Sequence, residues 1–204
     1  MASRVTEKNF NLDDIIAGLD EMAKHKINIG PVAKDDAHIL LIAGANEYGA
    51  TITPKKGKFL AVPLCKEARG KSPKNFQDQL VRVGSVLYKK GGKKVGKEMF
   101  VLLKKVVIPE RSFLRATADS SKVLEYAVGK TQLAMDLFIH GKTPAIEVLN
   151  AIGLAYQAKV RERITSNISP GNSPLTIALK GSGKKTLNDS GRLQQSIDFE
   201  VVHA

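Results

Sequence analysis

The stretch Val106-Val-Ile-Pro-Glu-Arg-Ser-Phe-Leu-Arg115 decides the reading of this chain, because it joins two kinds of pattern. An apolar, strand-like run meets Pro109, which denies the strand another backbone donor, and two arginines then bracket a Phe-Leu pair. The expectation is that Phe113 and Leu114 turn into the core as an anchor, with Arg111 and Arg115 available for carboxylates. The corner would lock a sheet on its N-terminal side to helices on its C-terminal side.

The flanking sequence fits that division. Upstream, Asn11-Leu-Asp-Asp14 reads as a capped helix start, and Leu12, Ile15, Ile16, Leu19 and Met22 fall on one face of a helix ending near Ala23. Lys26–Ile29 and His38–Ala43 read as two strands, the second ended by Asn46-Glu-Tyr-Gly49. Between about Thr51 and Lys105, the strand-like runs Phe59–Leu64 and Met99–Leu103 enclose turn-rich sequence and the run Lys89-Lys-Gly-Gly-Lys-Lys-Val-Gly-Lys97. This predicts a basic hairpin insertion with a solvated, flexible tip.

Downstream the period becomes helical. Val123, Leu124, Ala127, Val128, Leu133, Met135 and Phe138 predict one apolar helix face before Gly141. Thr143-Pro144 opens a second helix to about Ser166 through Ile146, Leu149, Ile152, Tyr156, Val160 and Ile164, so an antiparallel helical hairpin is expected. A turn-rich segment, Pro170–Thr176, precedes Leu187-Asn-Asp-Ser-Gly-Arg-Leu193. There Asp189 suits a turn or cap, Gly191 a positive φ, and Leu193 and Ile197 lie one helical turn apart. Asp198–His203 alternates like a closing strand. The predicted fold class is α+β: one domain over 1–204, a mostly antiparallel sheet with an N-terminal helix, a packed helical hairpin, and a basic β-hairpin insertion at about 51–105.

Composition narrows function. A net charge of +12 in 204 residues attracts polyanions and acidic partners, yet aromatic residues are only 5% and Trp is absent, unlike the interleaved aromatics of single-strand binders. No apolar run approaches the ~18 residues of a membrane span, and MASRVTEKNF lacks a signal-peptide core, so a cytosolic product with no membrane partner is expected. Cys65 is the only cysteine and the four histidines are scattered, which argues against a disulfide, a thiolate metal cage or a metal site. Gly181-Ser-Gly-Lys-Lys-Thr186 fails as a phosphate loop, since Ala178 stands where the first glycine belongs and Lys185 where Ser or Thr should follow Lys184. Asp13-Asp14, Asp35-Asp36 and Glu47 show no spacing for paired catalytic carboxylates and read as solvated surface. Neither an enzyme nor a cofactor is expected.

Four segments, in order, carry a resemblance: Asn46–Gly49, Ile108–Arg115, Pro170–Thr176 and Leu187–Ile197. Together they resemble the tailed-phage neck and tail-completion proteins, a family also labelled minor tail or virion morphogenesis protein. Its pattern reads N-E-[FY]-G, I-P-x-R-P-F-[LI]-R, two helices, a Pro-Ser-Thr turn with a later Lys, and L-x-D-[ST]-G-x-L-x-x-S-I. This chain departs at Glu110, Ser112, Thr186 and Asn188. The resemblance implies a structural virion component, made in the host cytoplasm, that forms a homo-oligomeric ring at the head-tail junction. Its neighbours would be head-closure or connector proteins and tail-tube or tail-terminator proteins, with non-specific DNA contact in the lumen. Structural and interface roles would fall to Pro109, Arg111, Phe113, Leu114, Arg115, Asp189, Gly191, Leu193 and Ile197, and DNA or acidic-partner contacts to Lys89, Lys90, Lys93, Lys94 and Lys97. The alternative is a basic nucleic-acid-binding protein holding phosphates with the same lysines and the Lys180–Lys185 loop.

Overall fold

The computed structural model describes residues 11–32, 37–91, 94–180 and 185–204. In chain order its elements are α1 (Leu12–Ala23), β1 (His25–Pro31), α2 (Ala37–Glu47), β2 (Ala50–Ile52), β3 (Leu60–Pro63), β4 (Leu80–Val83), β5 (Val86–Gly91) and β6 (Lys94–Leu103). Then come β7 (Val106–Ile108), α3 (Arg115–Ala118), α4 (Ser121–Ile139), α5 (Ala145–Thr165), α6 (Pro174–Lys180), α7 (Arg192–Ser196) and β8 (Ile197–His203), with 3-10 turns at Lys66–Ala68 and Pro73–Gln79. The fold is α+β, and its described strands pair antiparallel in three ladders: β1-β8, β2-β7 and β3-β6-β5-β4.

The chain divides into two compact units, and the boundary falls inside the opening stretch, between Ser112 and Phe113. The first unit comprises Met1–Leu40, Phe113–Ile164 and Arg192–Ala204. Its α1 begins with the expected capping box: Asn11 Oδ1 accepts from the Asp14 amide at 3.1 Å, and Asp14 Oδ2 accepts from the Asn11 amide at 3.0 Å. Ile15 and Met22 of α1 pack on Phe138, Ala145 and Val148, where the α4–α5 hairpin turns. The closing strand β8 pairs with β1 from His25 opposite His203 to Pro31 opposite Ile197. Buried Gln157 of α5 donates to the Ile197 carbonyl at 3.1 Å, and Arg161 donates to the same oxygen at 2.7 Å, so α5 is tied to the start of β8.

The face of α4 differs from expectation. Ala127, Thr131 and Phe138 are buried, whereas Leu124, Val128, Leu133 and Met135 are exposed. Apolar residues surround much of this helix, and the inner face is taken by small Ala127 and Thr131 together with Phe138.

The second unit comprises Leu41–Ser112 and Thr165–Gly191. One face of its four-stranded sheet packs Met99 and Phe100 against Ala68 and Phe76 from the 3-10 turns, with the two phenylalanine rings edge-on at 5.8 Å. Cys65 joins this core, its Sγ 3.6 Å from Met99 Sδ. The lysine run forms the expected hairpin, in which Lys90 pairs with Val95 and Gly91 with Lys94, and its tip at 92–93 lies outside the described residues.

The segment His38–Ala43, expected to be a strand, lies in α2. Its uniform apolarity hid a helical period that only the structure exposes, since the buried positions are Ile39, Ala43 and Glu47, each four residues apart. Leucine and alanine in the run also favour helix over strand.

Phe113 is fully buried, Leu114 half-buried, and the Phe113 carbonyl accepts from Thr117 Oγ1 at 2.6 Å as α3 begins. Truncation of Phe113 to alanine is therefore expected to destabilise the protein by about 3–5 kcal/mol, read by chemical denaturation against Leu133→Ala as an exposed control. A loss no larger than the control's would refute the anchor.

Candidate functional site

The second unit contains a buried polar junction built from residues far apart in sequence. Pro109 ends β7, and the chain then passes alongside the end of α2, where the Arg111 amide donates to the Asn46 carbonyl at 2.6 Å. Gly49 makes this approach feasible. Its φ is +70°, and a Cβ there would lie 3.1 Å from the Glu110 nitrogen and 3.2 Å from the Ile108 oxygen.

Two charged side chains are buried at this corner. Glu47 is 2% exposed, and its Oε1 accepts from Ser112 Oγ at 2.7 Å. Arg111 is also buried, which lowers its guanidinium pKa from the ordinary value, though arginine remains cationic at any accessible pH. Arg111 Nε donates to the Pro170 carbonyl at 2.8 Å and Nη2 to the Gly171 carbonyl at 3.0 Å. These two oxygens take the place of the carboxylates expected as its partners, because a planar fork of donors satisfies adjacent carbonyls equally well.

The junction extends into the last segment. Buried Thr186 donates through Oγ1 toward Asn167 Oδ1 and the Ile168 carbonyl, 3.2 and 3.1 Å away, and its own carbonyl accepts from Lys180 Nζ at 3.1 Å. Asp189 forms an ion pair with Arg69. Gly191 has φ +79°, the positive value expected of it, while Leu193 and Ile197 are buried in the first unit.

Chemically this is a brace. Apart from the local Lys180–Thr186 bond, the interactions join segments that the chain separates by many residues, and the polar groups meet backbone carbonyls, a hydroxyl, the Asn167 amide oxygen or, for Asp189, a guanidinium. Among the described residues, no group of three or more His, Cys, Asp or Glu side chains is placed to hold a metal ion, and no helix is long and apolar enough to cross a membrane. The groove beside β1 and β8 carries two carboxylates; Glu200 accepts from Asn28 and Asp198 from Gln157.

The second prominent feature is charge. Between Lys55 and Lys105 lie fifteen lysines and arginines against Glu67, Asp78 and Glu98, so this segment alone carries the whole net charge of +12. Lys89 is paired with Glu67, and Lys90 and Lys97 are exposed. Lys93 and the stretch 181–184 lie outside the described residues, as does the side chain of Lys94. Arg115 is exposed at the start of α3.

Comparison with family models, with curated proteins and with solved structures gives no match.

Sequence reasoning singled out Pro109, Arg111, Asp189 and Gly191 at this junction, but missed Arg69 as a partner and misread Glu47 as solvated surface. Glu47 carried one signal, its place beside Asn46 in a segment already marked by resemblance. Ser112, where the pattern that the chain resembles has proline, donates to Glu47.

Arg111→Lys is expected to destabilise the protein by about 1.5–3 kcal/mol, since one ammonium cannot reproduce the fork and leaves a buried carbonyl short of a donor. Urea unfolding measures it; a change under about 0.5 kcal/mol, within the ordinary range for a surface substitution, would show that the fork contributes nothing.

Proposed function

We propose that the chain is a structural component of a tailed-phage virion, a neck or tail-completion protein of the minor-tail kind that closes into a ring at the head-tail junction. One observation carries the reading. Three of the segments that carry the resemblance are hydrogen-bonded to one another, Asn46-Glu47 to Arg111-Ser112 and Arg111 to Pro170-Gly171, and the fourth begins at the Thr186–Asp189 side of the same unit. Residues that specify one brace are expected to occur as an ordered set, and chance matches would not be expected to meet in space. The partners on this reading are head-closure or connector proteins and tail-tube or tail-terminator proteins, with no cofactor and no catalytic step.

A second reading, a basic nucleic-acid-binding protein, is favoured by the concentration of charge between Lys55 and Lys105. Salt-dependent binding to a DNA duplex separates the two. A ring component is expected to give a defined oligomer by native mass spectrometry and duplex affinity no tighter than the non-specific range, with Kd about 10⁻⁴–10⁻⁶ M at physiological salt. Replacing Lys90, Lys93, Lys94 and Lys97 with serine should leave the melting temperature within about 2 °C and lower the salt slope by about 0.9 for each phosphate that is no longer neutralised. Nanomolar duplex binding by a monomer would overturn the ring in favour of the second reading.

A further inference from the structure

The four-stranded sheet of the second unit has two apolar faces. One packs on Ala68 and Phe76 through Leu80, Leu87 and Phe100. Cross-strand partners share a face, so Val62 opposite Val101, Val101 opposite Val86, Val86 opposite Val83 and Tyr88 opposite Val81 define the other. None of these residues is buried, and Val83 is 51% exposed. A sheet with one solvated face ordinarily alternates apolar with polar residues, whereas this one repeats valine on the outside. The face also holds one carboxylate, Glu98 opposite Tyr88, which accepts from the Tyr88 hydroxyl at 3.3 Å. Its margins, however, are basic: Lys58 precedes β3, Lys104 and Lys105 follow β6, and Lys90 follows inward Lys89 at the far end of β5.

Helix α1 is the complementary surface. While Ile15 and Met22 face its own unit, Leu12, Ile16 and Leu19, exposed by 69%, 49% and 47%, form a second apolar stripe about a quarter-turn away. The helix carries four carboxylates, Asp13, Asp14, Asp20 and Glu21, and no basic residue. Asp13 and Asp20 border the exposed stripe. An acidic amphipathic helix and a valine-rich sheet face with lysine margins match in both apolar and charged character, and a helix laid on a sheet is the ordinary layer packing of domains.

We infer that α1 of one copy docks on the outer valine face of the sheet of the next copy. This deepens the ring reading and rests on it. Self-pairing of either surface would set like charges against each other, lysines on lysines or aspartates on aspartates, so the crossed arrangement is the one charge permits. A crossed contact is head-to-tail, and repetition of it either closes a ring or runs on as a filament.

Sedimentation velocity on the full chain tests this with two variants. The helix variant carries Asp13→Lys, Ile16→Ser and Asp20→Lys; the sheet variant carries Val81→Asp and Val83→Asp. Wild-type protein is expected to assemble, each variant to weaken association by about tenfold or more, and an equal mixture of the two to recover dimers and stop there, because one sound interface remains in each mixed pair. Lys58→Glu with Lys105→Glu provides a sheet variant outside the strands should the valine substitutions unfold the ladder. Assembly of both variants like wild type would overturn the docking while leaving a ring formed by other surfaces. A mixture that recovers nothing would likewise overturn the crossed pairing. A wild-type chain monomeric at about 100 µM, far above the Kd of a stable interface, would overturn the ring as well.

Discussion

The second unit depends on one cation: the Arg111 guanidinium, buried and held by the carbonyls of Pro170 and Gly171. A buried arginine is tolerable only when its donors are met, and here the acceptors come from a segment about sixty residues further on. The same residue's amide reaches Asn46, and its neighbour Ser112 reaches Glu47. Two buried ionic side chains thus fix three stretches of chain. If either partner of Arg111 shifts, the charge is left desolvated without compensation, which costs far more than the hydrogen bonds themselves contribute.

From that constraint follows the path of the chain. Immediately after Ser112, Phe113 enters the other unit, so the brace holds the point where the chain passes from the unit with the sheet of lysine margins to the unit with the helical hairpin. The division is also one of charge. The segment from Lys55 to Lys105 carries the full +12, and the remainder is neutral. A protein arranged in this way presents a cationic surface from one unit and a near-neutral one, with acidic α1, from the other.

Much of the first unit was legible because its determinants are local. The Asn11–Asp14 box, Thr143-Pro144, Gly141 and the alternation of Asp198–His203 each act within a few residues, and the α+β class follows from them. The helix α2 was not legible, since Leu40, Leu41 and Ile42 are apolar yet exposed and mask the four-residue period of Ile39, Ala43 and Glu47. The brace was half legible. Its positions stood out as ordered segments, but the bonds themselves run from side chains to distant carbonyls, and such bonds impose no spacing or periodicity on the sequence. Arg69 with Asp189, 120 residues apart, is the extreme case.

Native-state hydrogen exchange at the Arg111 amide tests the central claim most directly. If the junction is the constraint on which the second unit depends, this amide, though it lies in no strand or helix, is expected to exchange only through global unfolding of that unit, with protection equal to that of the β5–β6 ladder. Exchange at the rate of a fraying loop, far faster than the ladder, would contradict the account.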